Sequence, residues 1–254
     1  MDSNIKIGDF FSLLNSAEGV SEADYAKTEL ILAVVRAFER CTYQCGFIID
    51  HFKKGFLYVS KNIDRLCGCE AEIVKDLGFR FYAEYVPKED IKMLEEINIA
   101  GFEFFGGLPV GERKNYAISC NFHVKRDNGR RLVNHKLIPL ILSEDGRIWL
   151  SLCSISLAAG NELGNAIVKK CGDDIFYKYS LKNHEWVRRK EIVLTDRERE
   201  ILTLSTQGYT MTDIADYICK SVDTIKAEKR RIFQKMNVKN IAEALTYAQN
   251  HRLI

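Results

Sequence analysis

Two hydrophobic periods run along the chain, about 3.6 residues near its ends and two residues through its middle. From Ser21 the stretch SEADYAKTELILAVVRAFERC sets Leu30, Val34, Ala37, Phe38 and Cys41 on one helical stripe, with Ser21 as cap and Asp24 three residues on. A stripe of that kind needs cover, from the following domain or from a second copy. Ahead of it, Phe10, Phe11, Leu13 and Leu14 form a short apolar cluster, a small helix or a docking arm.

The period becomes two at 46–50 and 55–60, which predicts a hairpin around Lys53-Lys54-Gly55. Ile63, Leu66, Ile73, Val74 and Leu77 predict a helical middle, Val86-Pro87 precedes a helix starting at Lys88 or beyond, and 102–111 reads as a loop. Tyr116, Ile118, Cys120, Phe122 and Val124 then alternate with Ala117, Ser119, Asn121 and His123, one face buried and one exposed. Asp127-Asn128-Gly129 turns, 131–142 returns, and 147–157 completes a three-strand antiparallel meander. His123 and His135 are expected as diagonal neighbours on one face, near enough to share a ligand. The polar residues around them make exposed histidines the expectation, and no metal or haem is expected.

Residues 174–190 predict a second hairpin, with Phe176, Tyr177 and Tyr179 facing Trp186 and Val187 across 181–184. It lacks the Gly, Ser or Pro richness of a flexible linker and reads as an ordered connector packed on one or both domains.

From Leu194 the helical period returns in four short punctuated helices. Thr195 with Glu198 and Thr210 with Asp213 form capping boxes, Gly208 closes the first helix, and Ser221 caps the third. On that third helix Ile225, Ile232 and Met236 share one direction and predict the buried stripe. The opposite face carries Asp223, Lys226, Ala227, Arg230 and Gln234, flanked by Thr224, Lys229 and Arg231.

Charge sharpens this picture. Between residues 220 and 239 seven Lys/Arg stand against two acids, a local balance of +5 on a chain whose total is +2. Cations supply phosphate affinity and one exposed helix face supplies base contacts, which is what a major-groove reader needs.

The segment resembles a LuxR-type helix-turn-helix domain. Leu194-Thr195, Arg197-Glu198, Glu200-Ile201-Leu202, Gly208, Ile214-Ala215, Thr224-Ile225-Lys226, Ile232, Lys235-Met236, Val238 and Glu243-Ala244 carry the resemblance. It implies base contacts from Lys226, Ala227 and Arg230, and backbone contacts from Thr224 and the start of the second helix, at Thr210 and Thr212. Lys229 and Arg231, beside the outward face, are expected on phosphates. The family commonly has His where this chain has Glu228, which puts any contact from that position in doubt. It also implies a homodimer through the last helix, where Ile241, Ala244, Leu245 and Ala248 form a stripe.

Two strands, short helices and three antiparallel strands between about 45 and 157 resemble a PAS domain. Tyr58-Val59-Ser60 before Asn62-Ile63, Leu66-Cys67-Gly68 and Pro87-Lys88-Glu89-Asp90 carry that resemblance with the meander. It implies a sensor of a small molecule or partner, of unknown signal. The expected class is α+β: a helical segment 1–44, a PAS-like antiparallel sheet with helices over 45–160, a connector 161–190, and an all-α four-helix domain 191–254.

Length and composition, 254 residues with 46% hydrophobic and 28% charged, are ordinary for a globular protein of one or two domains. No secretory signal or apolar run near 18 residues is visible, so a cytoplasmic protein without membrane association is expected. The eight cysteines are irregularly spaced, and Cys67-Gly68-Cys69 lacks two further zinc ligands. No phosphate loop, nucleophile elbow or metalloprotease helix is present, and neither enzyme activity nor a cofactor is expected. The leading reading is a sequence-specific double-stranded DNA-binding regulator. The alternative is a PAS-based interaction module whose helix-turn-helix serves mainly to dimerise.

Overall fold

The computed structural model describes residues 17–42, 45–126, 129–158, 160–251 and 253–254. The apolar cluster Phe10–Leu14 and the turn residues Asp127 and Asn128 lie outside them. The chain divides into a first unit that runs to Arg189 and a second that starts at Lys190, the short stretch 160–161 grouping with the second.

The first unit is built on one sheet. Its strands are β1 (Cys45–Asp50), β2 (Gly55–Val59), β3 (Tyr116–Arg126), β4 (Gly129–Leu142), β5 (Ile148–Leu157), β6 (Ile167–Lys170), β7 (Ile175–Ser180) and β8 (Glu185–Lys190). Their order is β2-β1-β5-β4-β3-β6-β7-β8. The pairs β1–β2, β1–β5, β4–β5, β3–β4, β3–β6 and β6–β7 are antiparallel. Between β2 and β3 come α3 (Asp64–Cys67), α4 (Ala71–Leu77), α5 (Arg80–Tyr85) and α6 (Lys88–Gly106). The order 2-1-5-4-3 with helices inserted after the second strand is the PAS-like arrangement, and the class is α+β.

Strand alternation sends side chains to both faces. Phe47 and Ile49 join Phe56, Phe81, Ile91, Phe122 and Val133 in the main core, under the inserted helices. Ile48 faces the other way and joins Trp149, Leu150 and Leu32, the last from α2 (Thr28–Thr42). The short α1 (Glu22–Ala26) precedes it, with Ser21 and Asp24 forming a capping box. Tyr25 donates to the buried Asp50 carboxylate at 2.5 Å, and Glu39 accepts from Tyr58 and Ser60, so the helical segment is tied to the sheet through polar groups too. Among the described residues no helix is long and apolar enough to cross a membrane.

Several sequence expectations shift here. Residues 102–106 are helix, not loop, because Phe102 and Phe105 bury one turn apart and extend the α6 core stripe until Gly106-Gly107. Asn121 sits on the predicted exposed face yet is buried, donating to the Glu162 carbonyl at 3.0 Å and accepting from Asn134 at 2.8 Å. The histidine pair is not on one face. Arg126 pairs with Gly129, a register one residue shorter than a three-residue turn, so His123 lies opposite Leu132 while His135 lies opposite Cys120. A one-residue slip reverses the face of every side chain beyond it.

The predicted hairpin 174–190 is present as β7 and β8, and it continues the sheet of the first unit through β6. Trp186 packs at a tilt against Tyr179, ring centroids 4.9 Å apart, meets Phe104 at 5.6 Å and donates from Nε1 to the Ala100 carbonyl at 3.1 Å. Replacing Trp186 by Ala is expected to destabilise this unit by about 2 kcal/mol, below the ~3–5 kcal/mol of a fully buried aromatic because the indole is half-buried. Chemical unfolding followed at a first-unit tryptophan such as Trp149 checks it, and an unchanged midpoint refutes the packing.

Candidate nucleic-acid interface and sensor cavity

The second unit holds four helices, α7 (Asp196–Thr206), α8 (Met211–Tyr217), α9 (Val222–Met236) and α10 (Ile241–Asn250). Each starts where its sequence supplies an acceptor. Thr195 with Glu198 and Thr210 with Asp213 form complete capping boxes, while Ser221 and Asn240 accept from Thr224 N and Glu243 N. The α8–α9 turn is set by Cys219 in the left-handed region, φ 52°, and by Lys220 N donating to the Ala215 carbonyl at 2.9 Å. Gly208 has φ 87°, where a side chain is strained, at the end of α7.

Ile225, Ile232 and Met236 of α9 are buried with Ile201, Leu202, Ile214 and Ala215, as the helical stripe predicted. Ile232→Ala is expected to cost about 2–5 kcal/mol, the range for large aliphatic truncations in a closed core. Thermal unfolding of residues 190–254 would show it, and a loss below ~1 kcal/mol would mean the stripe is not the core.

With that stripe inward, the opposite side of α9 faces solvent. Asp223, Thr224, Lys226, Ala227, Arg230, Arg231 and Gln234 are all exposed. Lys226 leans on Asp223 at 3.2 Å, an exposed pair of small energetic weight. Among the described residues Arg230 has no ion-pair partner. Arg231 meets Glu228 at 3.3 Å, so the carboxylate that replaces the family's His is engaged inside the helix. Lys229 is half-buried, and partial burial pulls its ammonium below the usual lysine range. Lys235 points inward to the buried Glu198 at 2.7 Å. That pair holds the Glu198 carboxyl below its ordinary range despite burial, which acts in the opposite sense. At the start of α8 Thr212 is exposed, and Thr210 donates to Asp213 at 2.6 Å. At the start of α9 the Thr224 and Ser221 hydroxyls lie 2.8 Å apart.

Ala244 and Ala248 are fully buried within the unit's own core, and Ile241 and Leu245 pack partly against it. The loop 237–240 folds α10 back over α7 and α9, so the small alanines help close the four-helix core.

A second feature lies in the first unit. A cavity of about 90 Å³ opens between α5, α6 and the sheet, walled by apolar side chains such as Ile49, Phe79, Tyr82, Leu94, Phe102 and Phe122. Its polar members are His51, Asn98, Ser119 and His135, and no Asp, Glu, Lys or Arg lines it. His135 stacks on Phe47 at 5.5 Å, and its Nε2 is enclosed without a hydrogen-bond partner among the described residues. Burial pushes its imidazole down to about 4, so it is neutral near pH 7. His51 sits 2.7 Å from Ser151 Oγ and is pushed down to about 3, again by burial. His123 is engaged elsewhere, its Nδ1 3.0 Å from the buried Asp90. Among the described residues no group of three or more His, Cys, Asp or Glu is placed to hold a metal ion. Sequence reading missed His51, Asn98 and Ser119, which reach the cavity from three separate elements. The only local sign was a histidine directly after the apolar strand β1.

Comparison with known proteins agrees with the second unit's geometry. Residues 192–248 match the family model described as bacterial regulatory proteins, luxR family, so the C-terminal part of the chain is a LuxR-type helix-turn-helix domain. The oxygen regulatory protein NreC of Staphylococcus carnosus is 40% identical over 62 residues, 24% of this chain and 29% of that protein. The transcriptional activator protein BglJ of Escherichia coli is 35% identical over 66 residues, 26% of this chain and 29% of that one. The chain thus spans about 29% of the length of these curated relatives. Among solved structures, that of the phage VqmA-DPO complex aligns over 91% of both chains at 17% identity, with a TM-score of 0.33.

Proposed function

We propose that the chain is a sequence-specific, double-stranded DNA-binding regulator of transcription, acting in the cytoplasm, whose first unit senses a small uncharged molecule. The observation that carries the DNA reading is the solvent face of α9, where Lys226, Ala227 and Arg230 stand opposite the buried Ile225, Ile232 and Met236. In this reading those three reach base edges in the major groove, while Thr210, Thr212, Thr224, Lys229 and Arg231 meet the backbone. Two copies bind half-sites related by a two-fold axis, joined through the α10 stripe of Ile241, Ala244, Leu245 and Ala248, of which Ile241 and Leu245 are only partly buried within one copy. The cavity supports the sensing part: apolar walls, neutral histidines and no charged side chain favour an uncharged ligand over an ion.

Fluorescence anisotropy on labelled duplexes tests the DNA reading. Binding is expected to weaken linearly in log–log form with salt, by about 0.9 per phosphate neutralised. Absence of binding to any duplex at low salt would leave the interaction-module reading.

A further inference from the structure

The strand at the end of the sheet finishes on three cations in a row. Arg188, Arg189 and Lys190 close β8, which is an edge strand, and all three are exposed. On the neighbouring strands cations are spent on acids: Lys170 of β6 meets Glu112 at 2.5 Å, and Lys178 of β7 meets Glu162 at 2.6 Å. Among the described residues none of the three on β8 has an ion-pair partner. Even the acid that follows them, Glu191, is engaged with His251 Nδ1 at 3.3 Å.

The residues on the C-terminal side of this run tie it to the helix-turn-helix domain. Leu194 is buried in the core of that domain and Ile192 packs partly against it. Thr195 caps α7, and Glu198, in the first turn, meets Lys235 in the last turn of α9 at 2.7 Å. The start of α7 therefore lies beside the C-terminal end of the helix whose outer face carries Lys226 and Arg230. From Lys190 to Thr195 the chain can span at most about 18 Å. A duplex carries one phosphate charge per ~1.7 Å of its axis, so a reach of that length takes in about ten of them.

We propose that Arg188 and Lys190 form a second phosphate-binding site, which holds the DNA backbone outside the stretch of groove that α9 reads. The proposal rests on the DNA reading above and adds contacts that carry no base information. Strand alternation sets Arg188 and Lys190 on one face of β8 and Arg189 on the other, so the two act on one backbone together and Arg189 does not. Cations with no carboxylate to give up meet a phosphate without breaking an existing pair, and each contact releases counterions condensed on the duplex. Charge on an edge strand also keeps that edge from pairing with another strand, a role that involves no DNA and separates cleanly in the test.

Fluorescence anisotropy of the full chain on two labelled duplexes makes that separation. One duplex ends flush with the half-sites, and the other carries about one further helical turn on each side. On the longer duplex, Arg188→Gln with Lys190→Gln is expected to lower the slope of log affinity against log salt by about 2 per copy, at 0.9 for each phosphate. The drop should be the same on cognate and scrambled sequence. On the flush duplex the double variant should bind like the unsubstituted chain, and Arg189→Gln should match that chain on both. Arg188→Lys should keep the slope, since charge rather than the guanidinium fork meets the backbone. An unchanged unfolding midpoint shows that the double variant is folded, both positions being exposed. An unchanged slope for the double variant on the longer duplex would overturn the proposal and leave the cations as guards of the strand edge. A slope that falls as far for Arg189→Gln alone would overturn it too. Failure of the unsubstituted chain to bind either duplex at low salt contradicts the DNA reading itself, whereas binding that is indifferent to the double variant contradicts only this site.

Discussion

Replacing Lys226 and Arg230 together by Ala is expected to cost on the order of 2–6 kcal/mol at the cognate duplex, roughly 30-fold to 10⁴-fold in affinity, while binding to scrambled DNA falls far less. Both side chains rise from the middle of the α9 face opposite the buried Ile225 and Ile232, and among the described residues no acid pairs with Arg230. A guanidinium so placed is suited to the paired acceptors of guanine, and losing it removes discrimination as well as charge. Arg231→Ala is the contrasting case. It lies beside that face and pairs with Glu228, so its loss should weaken cognate and scrambled duplexes alike. Equal losses on both duplexes for the Lys226/Arg230 double variant would show that this face does not read bases.

Acid is expected to destabilise the first unit well before its carboxylates titrate. His51 and His135 are held neutral by burial, at about 3 and about 4, against 6.5 for an ordinary histidine. Below pH 6.5 the unfolded chain takes up protons at both positions and the folded chain does not. Their contribution is thus fully present above about 6.5 and declines on acidification, at about 1.4 kcal/mol per pH unit for each histidine. For His135 the decline stops near pH 4 and for His51 near pH 3, where the folded forms protonate as well. Urea unfolding between pH 6.5 and 5 should therefore lose about 2–3 kcal/mol per unit, and His135→Gln should remove about half of that slope. An unchanged slope in His135→Gln would mean that this imidazole is not buried as described. The same neutrality matters for sensing, since an uncharged Nε2 inside an apolar wall can donate or accept but cannot pair with an anion without taking up a proton.

How far these properties were legible in the sequence follows the range of the forces that set them. The caps at Thr195, Thr210 and Ser221 and the Ile225/Ile232/Met236 stripe are local, depending on residues three or four apart, and the helices begin and bury as read. The meander of β3, β4 and β5 was legible for the same reason. What failed depends on non-local pairing. One residue of register at Arg126–Gly129 turned His135 into the core and left His123 to Asp90. The hairpin of β7 and β8 was visible, but only β6, four residues long, shows that it continues the sheet. The cavity is the least legible element, because its walls come from β1, α5, α6, β3 and β4 together.

Selection of bound duplexes from a random-sequence pool by the full-length chain at moderate salt tests the central claim most directly. The account predicts a recurrent motif in two-fold symmetric half-sites whose centres lie about one helical turn of DNA, 10–10.5 base pairs, or a multiple of it apart. It also predicts that the motif is lost when Lys226 and Arg230 are replaced by Ala. Enrichment of no motif over successive rounds, or the same motif from the double variant, would contradict it.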